Sequence, residues 1–350
     1  MYRQELEKII ERHHFKGDVT FLGEGAWHDA FLIEDNHKKL VLRLPKKVAY
    51  GEKVEFNERE WRTEYEGQKL FYHHANQANS GIAPEYFDYY VDKECTYTLE
   101  SFAGEKVDLH QLPLLKAYDI GAQYGEFFRK LNNHKHPLKG FGYLRWSQER
   151  FTVEGEMQSS VSAFMEEENK EILEEDFPYL SQSSYSFDRE KIYDKLENCV
   201  ATRSISNVSF TNQDTSPENI LLQDNKIRII DPYPVLYYGH TFAGNFLNNY
   251  DTLFIALHNS PRYKKHNFDQ VSMKLKAIAQ GFMEQYCLQD KETQVLVKRE
   301  QYVQLFSTTV EHVKMVNDTL PISKVLRYGT KEQIEARIPL FLHELEEFES

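Results

Sequence analysis

Along the first hundred residues, apolar and polar positions alternate in short runs divided by turn residues. Residues 19–22, 30–33 and 40–44 are three such runs. Gly23-Glu24-Gly25 divides the first two, Asp35-Asn36 divides the second from the third, and Pro45 ends the third, so the pattern predicts a β-meander. Ahead of it, residues 2–15 put Leu6, Ile9 and Ile10 on one face of a short helix. Residues 55–75, rich in Glu, Arg and Lys, predict a second helix. Residues 84–91 and 96–102 predict two more strands around a turn at Asp92-Lys93.

After Ala103-Gly104 the period changes. Residues 112–132 carry Ile120, Tyr124, Phe127, Phe128 and Leu131 as a helical core stripe. Residues 151–200 read as helical and acidic, interrupted around Phe177-Pro178. Residues 209–212 predict a short strand. Residues 220–222 and 227–230 predict a β-pair joined by Asp224-Asn225. Four further helices are expected over 246–258, 268–288, 293–317 and 330–348. The order predicts an α+β protein with a small antiparallel β-sheet lobe over 1–102, carrying one helix, and a larger, mostly helical lobe over 103–350.

Composition narrows the class. A chain of 350 residues with 41% hydrophobic residues, 22 Tyr and 23 Phe has enough apolar surface for two packed lobes. The net charge of −13 disfavours nucleic acid and anionic membrane surfaces as partners. The three cysteines, Cys95, Cys199 and Cys287, are far apart and form no CxxC pair, which argues against a zinc knuckle or a disulfide framework and for a reducing, cytoplasmic setting. The first residues lack an apolar signal core, and no run reaches the length of a membrane span. The His pairs at 13–14 and 73–74 lack a third ligand at a sensible spacing.

The chemically informative stretch is Asn212-Gln213-Asp214-Thr215-Ser216-Pro217-Glu218-Asn219, followed after the β-pair by Ile229-Ile230-Asp231-Pro232. Asp214 lies on a loop, and Asn219 follows five residues later at the start of a strand. The β-hairpin returns the chain so that Asp231 reaches the same end as Asn219. Transfer of a phosphoryl group needs a carboxylate beside the acceptor hydroxyl and fixed oxygen ligands for a Mg²⁺ on the phosphates. A lone D-x4-N is common in turns; D-x4-N, strand, turn, strand and Asp in that order is more specific.

This pattern resembles the aminoglycoside phosphotransferase, or choline-kinase-like, family, whose catalytic loop reads H-G-D-x-H-P-x-N with an I-D motif after the hairpin. Asn212 and Gln213 stand where that family usually has His and Gly. The resemblance implies a protein-kinase-like two-lobed fold, with Asp214 as the catalytic base and Asn219 and Asp231 as Mg²⁺ ligands. It implies that the turn with Gly23 and Gly25 covers the nucleotide phosphates and that Arg43 meets them, paired with a Glu of the following helix, for which Glu64 ranks ahead of Glu60 and Glu66. It implies that the backbone at Glu100 and Phe102 meets the purine edge. Gly140-Phe141-Gly142 matches a further G-F-G segment of the family, and Asp251 in Tyr250-Asp251-Thr252 resembles a later Y-D-L element of structural role.

The resemblance therefore predicts a phosphotransferase moving the γ-phosphate of ATP or GTP to a hydroxyl of a small molecule. The acceptor pocket is expected within 151–190. There Glu166-Glu167-Glu168 and Glu174-Glu175-Asp176 are either a solvated face or a site for a cationic substrate. The alternative is a nucleotide-binding pseudokinase or scaffold without transfer activity. A protein kinase ranks below both, because no H-R-D, D-F-G or A-P-E element occurs. Monomer and homodimer are both left open.

Overall fold

The structure, a computed structural model, describes residues 2–35, 38–147, 150–153, 160–201, 203 and 208–349. Asn36 of the expected hairpin turn and residues 154–159 of the expected helical stretch lie outside the described residues. The chain forms two compact units. The first joins Met1–Lys106, Leu144–Thr152 and Ser216–Tyr233, and the second joins Val107–Tyr143, Val153–Thr215 and Pro234–Ser350. Two later segments, 144–152 and 216–233, therefore belong to the first unit.

The first unit opens with helix α1 (Arg3–His13), which ends on His14 in the left-handed conformation, φ 57°. Strands β1 (Asp18–Glu24), β2 (His28–Asp35) and β3 (Lys38–Pro45) form the meander. A minimal hairpin, β4 (Val48–Ala49) and β5 (Glu52–Lys53), precedes helix α2 (Glu58–Ala78), whose N-cap Asn57 accepts from the Glu60 N–H. Strands β6 (Phe87–Tyr90) and β7 (Tyr97–Ser101) complete an antiparallel sheet of order β1-β2-β3-β7-β6. Both helices expected over 2–15 and 55–75 are thus present in this unit.

Alternation along β3 and β7 assigns the sheet's faces. Leu42, Leu44, Tyr97 and Leu99 join Ile9 of α1, Phe31 and Ile33 in one core cluster. The intervening Arg43, Thr98 and Glu100 therefore point to the opposite face, where Tyr72 of α2 reaches Glu100. Further on, β8 (Glu105–Lys106) pairs with β12 (Ile220–Gln223), which pairs with β13 (Lys226–Ile229). All three tryptophans, Trp27, Trp61 and Trp146, lie in the first unit.

Helix α3 (Leu114–Asn133) begins the second unit's core, and β9 (Gly142–Ser147) and β10 (Arg150–Val153) follow at the boundary between units. Helix α4 (Val161–Lys170) continues through a π-helical turn (Glu171–Asp176) into α5 (Phe177–Ser181). The expected interruption at Phe177-Pro178 is thus a widened turn rather than a break: it accommodates a proline that supplies no N–H and crowds the carbonyl one turn back. After α6 (Arg189–Ala201), β11 (Val208–Asn212) pairs antiparallel with β14 (Pro234–Tyr238), a strand that the sequence pattern did not reveal. Helices α7 (Gly239–Asn248), α8 (Phe254–Ala256), α9 (Ser272–Cys287), α10 (Lys291–Asn317), α11 (Ile322–Tyr328) and α12 (Lys331–Glu347) complete the unit. Among the described residues, no helix is long and apolar enough to cross a membrane.

Helices α3 and α9 approach closely because glycines line their contact. A Cβ at Gly121 would lie 1.9 Å from the Ile278 carbonyl oxygen, one at Gly125 2.2 Å from that of Phe282, and one at Gly281 2.1 Å from that of Tyr118. Each would-be neighbour is backbone, which cannot swing aside. Gly125→Ala gains up to about 1 kcal/mol in helix propensity but forces overpacking that costs roughly 1–3 kcal/mol. The expected outcome is a net loss of stability, read as a lower urea midpoint by far-ultraviolet circular dichroism.

Candidate active site

The hairpin β12–β13 is built by its turn. Asp224 and Asn225 both have positive φ, 51° and 59°, as a two-residue type I′ connection requires. That turn fixes the register Ile220↔Ile229, so Asn219 and Ile230 flank the open end. The Ile230 N–H donates to the Asn219 carbonyl at 3.1 Å. Asp231, the next residue, has φ 50° although it is neither glycine nor at a hairpin tip. It precedes Pro232, so its backbone stores strain on the order of 1–3 kcal/mol that its surroundings must hold.

Three groups grip Asp231. Its N–H donates to the Tyr72 hydroxyl at 3.0 Å. Its Oδ1 accepts from Gln68 Nε2 at 3.3 Å, and its carbonyl from Asn219 Nδ2 at 3.5 Å. The hairpin thus brings the two expected metal ligands together within the first unit. Gln68 and Tyr72 were missed by sequence reasoning. The signal was present: Glu64, Gln68 and Tyr72 are spaced four apart, on one face of α2.

The cation Arg43 is not paired with Glu64 as expected. Arg43 Nε and Nη2 donate to Glu100 Oε1 at 2.8 and 2.7 Å, with side chains 16% and 2% exposed. The reason is strand order. β3 pairs with β7 in the register Arg43↔Thr98, so Glu100, two residues on, projects from the same face as a diagonal neighbour. The Glu100 side chain is therefore the counterion of Arg43, and its second oxygen accepts from the Tyr72 hydroxyl at 3.2 Å. Burial works against the Arg43 charge, but the charge and hydrogen bond of Glu100, together with the nearby Asp231 and Tyr72, hold the guanidinium firmly protonated.

Glu64 lacks that cation. Burial, and after it the negative charge of Asp231, pushes its carboxyl up to about 8. Among the described residues, no cluster of three or more His, Cys, Asp or Glu side chains could hold a metal ion. What the hairpin offers is one amide and one carboxylate oxygen, beside a second carboxyl kept protonated for want of positive charge. That donor set fits a Mg²⁺ that takes one or two carboxylates and completes its shell with phosphate oxygens and water.

The glycine turn spends one of its amides on itself. The Gly25 N–H donates to the His28 carbonyl at 2.7 Å, and a bulge at Leu22 lets Gly23 oppose Ala30. Phe21, Leu22 and Trp27 stand exposed around it. His28 is buried against the Tyr65 hydroxyl at 2.8 Å, and burial pushes its ring down to about 4, so it is neutral near pH 7. In the linker after β7, the Phe102 N–H donates to the Lys39 carbonyl at 3.0 Å. That amide is therefore engaged within the sheet rather than free for a purine edge.

Asp214 belongs to the second unit, on the loop after β11. The Asp214 N–H donates to Asn212 Oδ1 at 3.1 Å, and Asn212 Nδ2 donates to the Asp214 carbonyl at 2.6 Å. Asn212 is fully buried and clamps the loop from both sides. The loop also departs from the family pattern at Ser216, where that pattern has a second His. Beneath the loop, the Tyr250 hydroxyl donates to the Thr215 carbonyl at 3.0 Å. The Tyr250 ring stacks on Phe246 at 4.3 Å, and Phe246 stacks on Phe282 at 4.0 Å. Asp251, in the same π-helical turn as Tyr250, accepts from Gln301 Nε2 at 3.0 Å, in keeping with a structural role.

Half of the two acidic clusters carry their own cations. Glu168 pairs with Arg203 at 2.8 Å, Asp176 with Lys314 at 2.6 Å and Glu174 with Lys170 at 3.6 Å. Arg203 also donates to Glu300, itself 2% exposed, in a buried network with Thr241. Glu168 and Asp176 thus serve packing between helices, while Glu166, Glu167, Glu174 and Glu175 face solvent.

No family model matches the chain, and no curated protein matches it in sequence. Solved structures do. Aminoglycoside phosphotransferase APH(4)-Ia, as a thermostable mutant in ternary complex with ADP and hygromycin B, aligns with a TM-score of 0.58 at 13% identity, covering 96% of this chain and 97% of that one. The streptomycin–ATP–APH(2")-IIa ternary complex aligns at 0.50 and 12% identity, covering 97% and 98%. A candidate fructosamine-3-kinase from Thermobifida fusca aligns at 0.52 and 11%, covering 97% of each chain. The chain has the protein-kinase-like two-lobed fold of these proteins, α+β with an antiparallel sheet in one unit and a mostly helical second unit.

Two outcomes follow from the site's electrostatics. Arg43→Met leaves the Glu100 carboxylate buried without its counterion and lowers stability by roughly 3–5 kcal/mol, whereas Arg43→Met with Glu100→Gln recovers most of that loss in urea unfolding. Glu64 keeps a proton when folded that the unfolded chain sheds above its ordinary carboxylate value. In the metal-free protein this contribution is full below that value and fades as pH rises towards about 8. Denaturation midpoints across this range should fall more steeply for the wild type than for Glu64→Gln.

Proposed function

We propose that the chain is a small-molecule phosphotransferase that moves the γ-phosphate of ATP or GTP to a hydroxyl. The observation that carries this reading is the convergence of Asn219 and Asp231 at the open end of one hairpin, linked through Tyr72 to the Arg43–Glu100 pair. Phosphoryl transfer asks the protein mainly for positioning and charge, and these residues are suited to both. Asp214, on its Asn212-clamped loop, is the group that orients the acceptor hydroxyl and accepts its proton. Asn219 and Asp231 would hold a Mg²⁺, which when bound neutralises phosphate charge. Arg43 brings a second, always-charged donor group to the phosphates. The glycine turn and the segment from Glu100, near the end of β7, to Phe102 remain the nucleotide's expected contacts, through backbone groups other than the Gly25 and Phe102 N–H. The likeness to proteins solved with ADP or ATP supports a nucleotide donor. The acceptor is a hydroxylated small molecule; the solvent-facing Glu166, Glu167 and Glu175 would suit a cationic one.

A second reading, a nucleotide-binding scaffold without transfer, is favoured by the engaged Gly25 amide and by Asn212-Gln213 in the catalytic loop. The two readings part in one experiment. Thermal shift with Mg·ATP and Mg·GTP, followed by ADP or GDP release over a panel of hydroxylated antibiotics and metabolites, should give both stabilisation and acceptor-dependent release. Asp214→Ala and Asp231→Ala should then lose at least about 100-fold in transfer while keeping the wild-type circular dichroism spectrum. Stabilisation without release from any acceptor would favour the scaffold, and full activity in either variant would rule out the assigned roles.

A further inference from the structure

Resting on the phosphotransferase reading, we infer that Tyr72 and Gln68 of α2 are positioning residues that hold Asp231 in its metal-binding conformation and tie it to the phosphate-facing Arg43. Asp231 sits at φ 50° directly before a proline, a conformation it would leave if unheld. Tyr72 takes its N–H at 3.0 Å and Gln68 its Oδ1 at 3.3 Å, one helical turn apart on the same helix. An N–H can only donate, so at Asp231 the Tyr72 oxygen must accept. The hydroxyl proton is then committed to Glu100 Oε2 at 3.2 Å, whose other oxygen carries Arg43. A single phenol oxygen therefore joins the metal-ligand backbone to the ion pair.

The arrangement has a functional consequence. Asp231 would hold the metal and Arg43 would meet the phosphates directly, so a shift of α2 would disturb both contacts to the nucleotide. Groups that orient a metal ligand from behind typically change metal affinity about 10–100-fold when removed.

Tyr72→Phe is the sharp test, because it keeps the ring packed on Phe87 and deletes one oxygen. The readout is the Mg²⁺ concentration giving half-maximal stabilisation by ADP, with metal-free ADP binding as the internal control. Tyr72→Phe should raise that Mg²⁺ concentration about ten-fold, well beyond any change in metal-free ADP binding through the Glu100 contact; Gln68→Leu, with Tyr72 intact, should raise it in the same direction. A lowered melting temperature with an unaltered Mg²⁺ requirement in both variants would reduce the two residues to packing and overturn the inference. If the wild type itself shows no Mg²⁺-dependent nucleotide binding, the phosphotransferase reading falls and takes this inference with it, a result distinct from a wild-type response that the variants share.

Discussion

A guanidinium buried against a sheet must bring its counterion with it, and the first unit is arranged around that requirement. Removing an ion from water costs several kcal/mol, and only a close, well-directed partner offsets it. Glu100 can be that partner only if β7 lies beside β3, although helix α2 and strand β6 intervene in the chain. Once this neighbour relation is set, the face carrying Arg43 and Glu100 is the face α2 covers. Tyr72 then has both a carboxylate to donate to and a backbone N–H to accept from. Asp231 of the hairpin is thus supported, through Tyr72, by a charge pair far from it in sequence.

The second unit meets a different constraint, the close approach of two helices. Glycines at 121, 125 and 281 let α3 and α9 pack backbone against backbone. This brings Tyr124, Phe246, Tyr250 and Phe282 into one stacked group, since α7 and the turn after it settle on the same helices. The group ends at the loop that carries Asp214, through the Tyr250–Thr215 hydrogen bond. A rigid aromatic base and the Asn212 clamp together leave the loop's backbone few alternatives. That is why a loop lacking the family's histidines still has a fully satisfied support at Asn212.

What could be read in the sequence was whatever depended on near neighbours in the chain. The β12–β13 hairpin was legible because Asp224-Asn225 is turn chemistry, and its register then delivers Asn219 and Asp231 to one end without further information. The meander and the long helices were legible from their periods. The partner of Arg43 was not, because choosing Glu100 over Glu64 requires the strand order, and Glu64 matched a helical pattern that fitted equally well. Gln68 and Tyr72 passed as ordinary residues of an amphipathic helix; their roles exist only once Asp231 arrives from residue 231. Strand β14 was hidden by the prolines at 232 and 234, which read as a turn. The division into units was hidden for the same reason as the Arg43 pair: segments 144–152 and 216–233 rejoin the first unit through long-range contacts.

The uneven placement of tryptophan gives the protein a built-in spectroscopic division of labour. Trp27, Trp61 and Trp146 all belong to the first unit, and the second has none. Indole emission therefore follows the sheet and α2, with Trp27 at the glycine turn half exposed and Trp61 packed on Tyr65. Backbone ellipticity near 222 nm, by contrast, is dominated by the helices of the second unit. If the two signals separate along a denaturation curve, the units melt independently; if they superimpose, the two units melt as one cooperative structure.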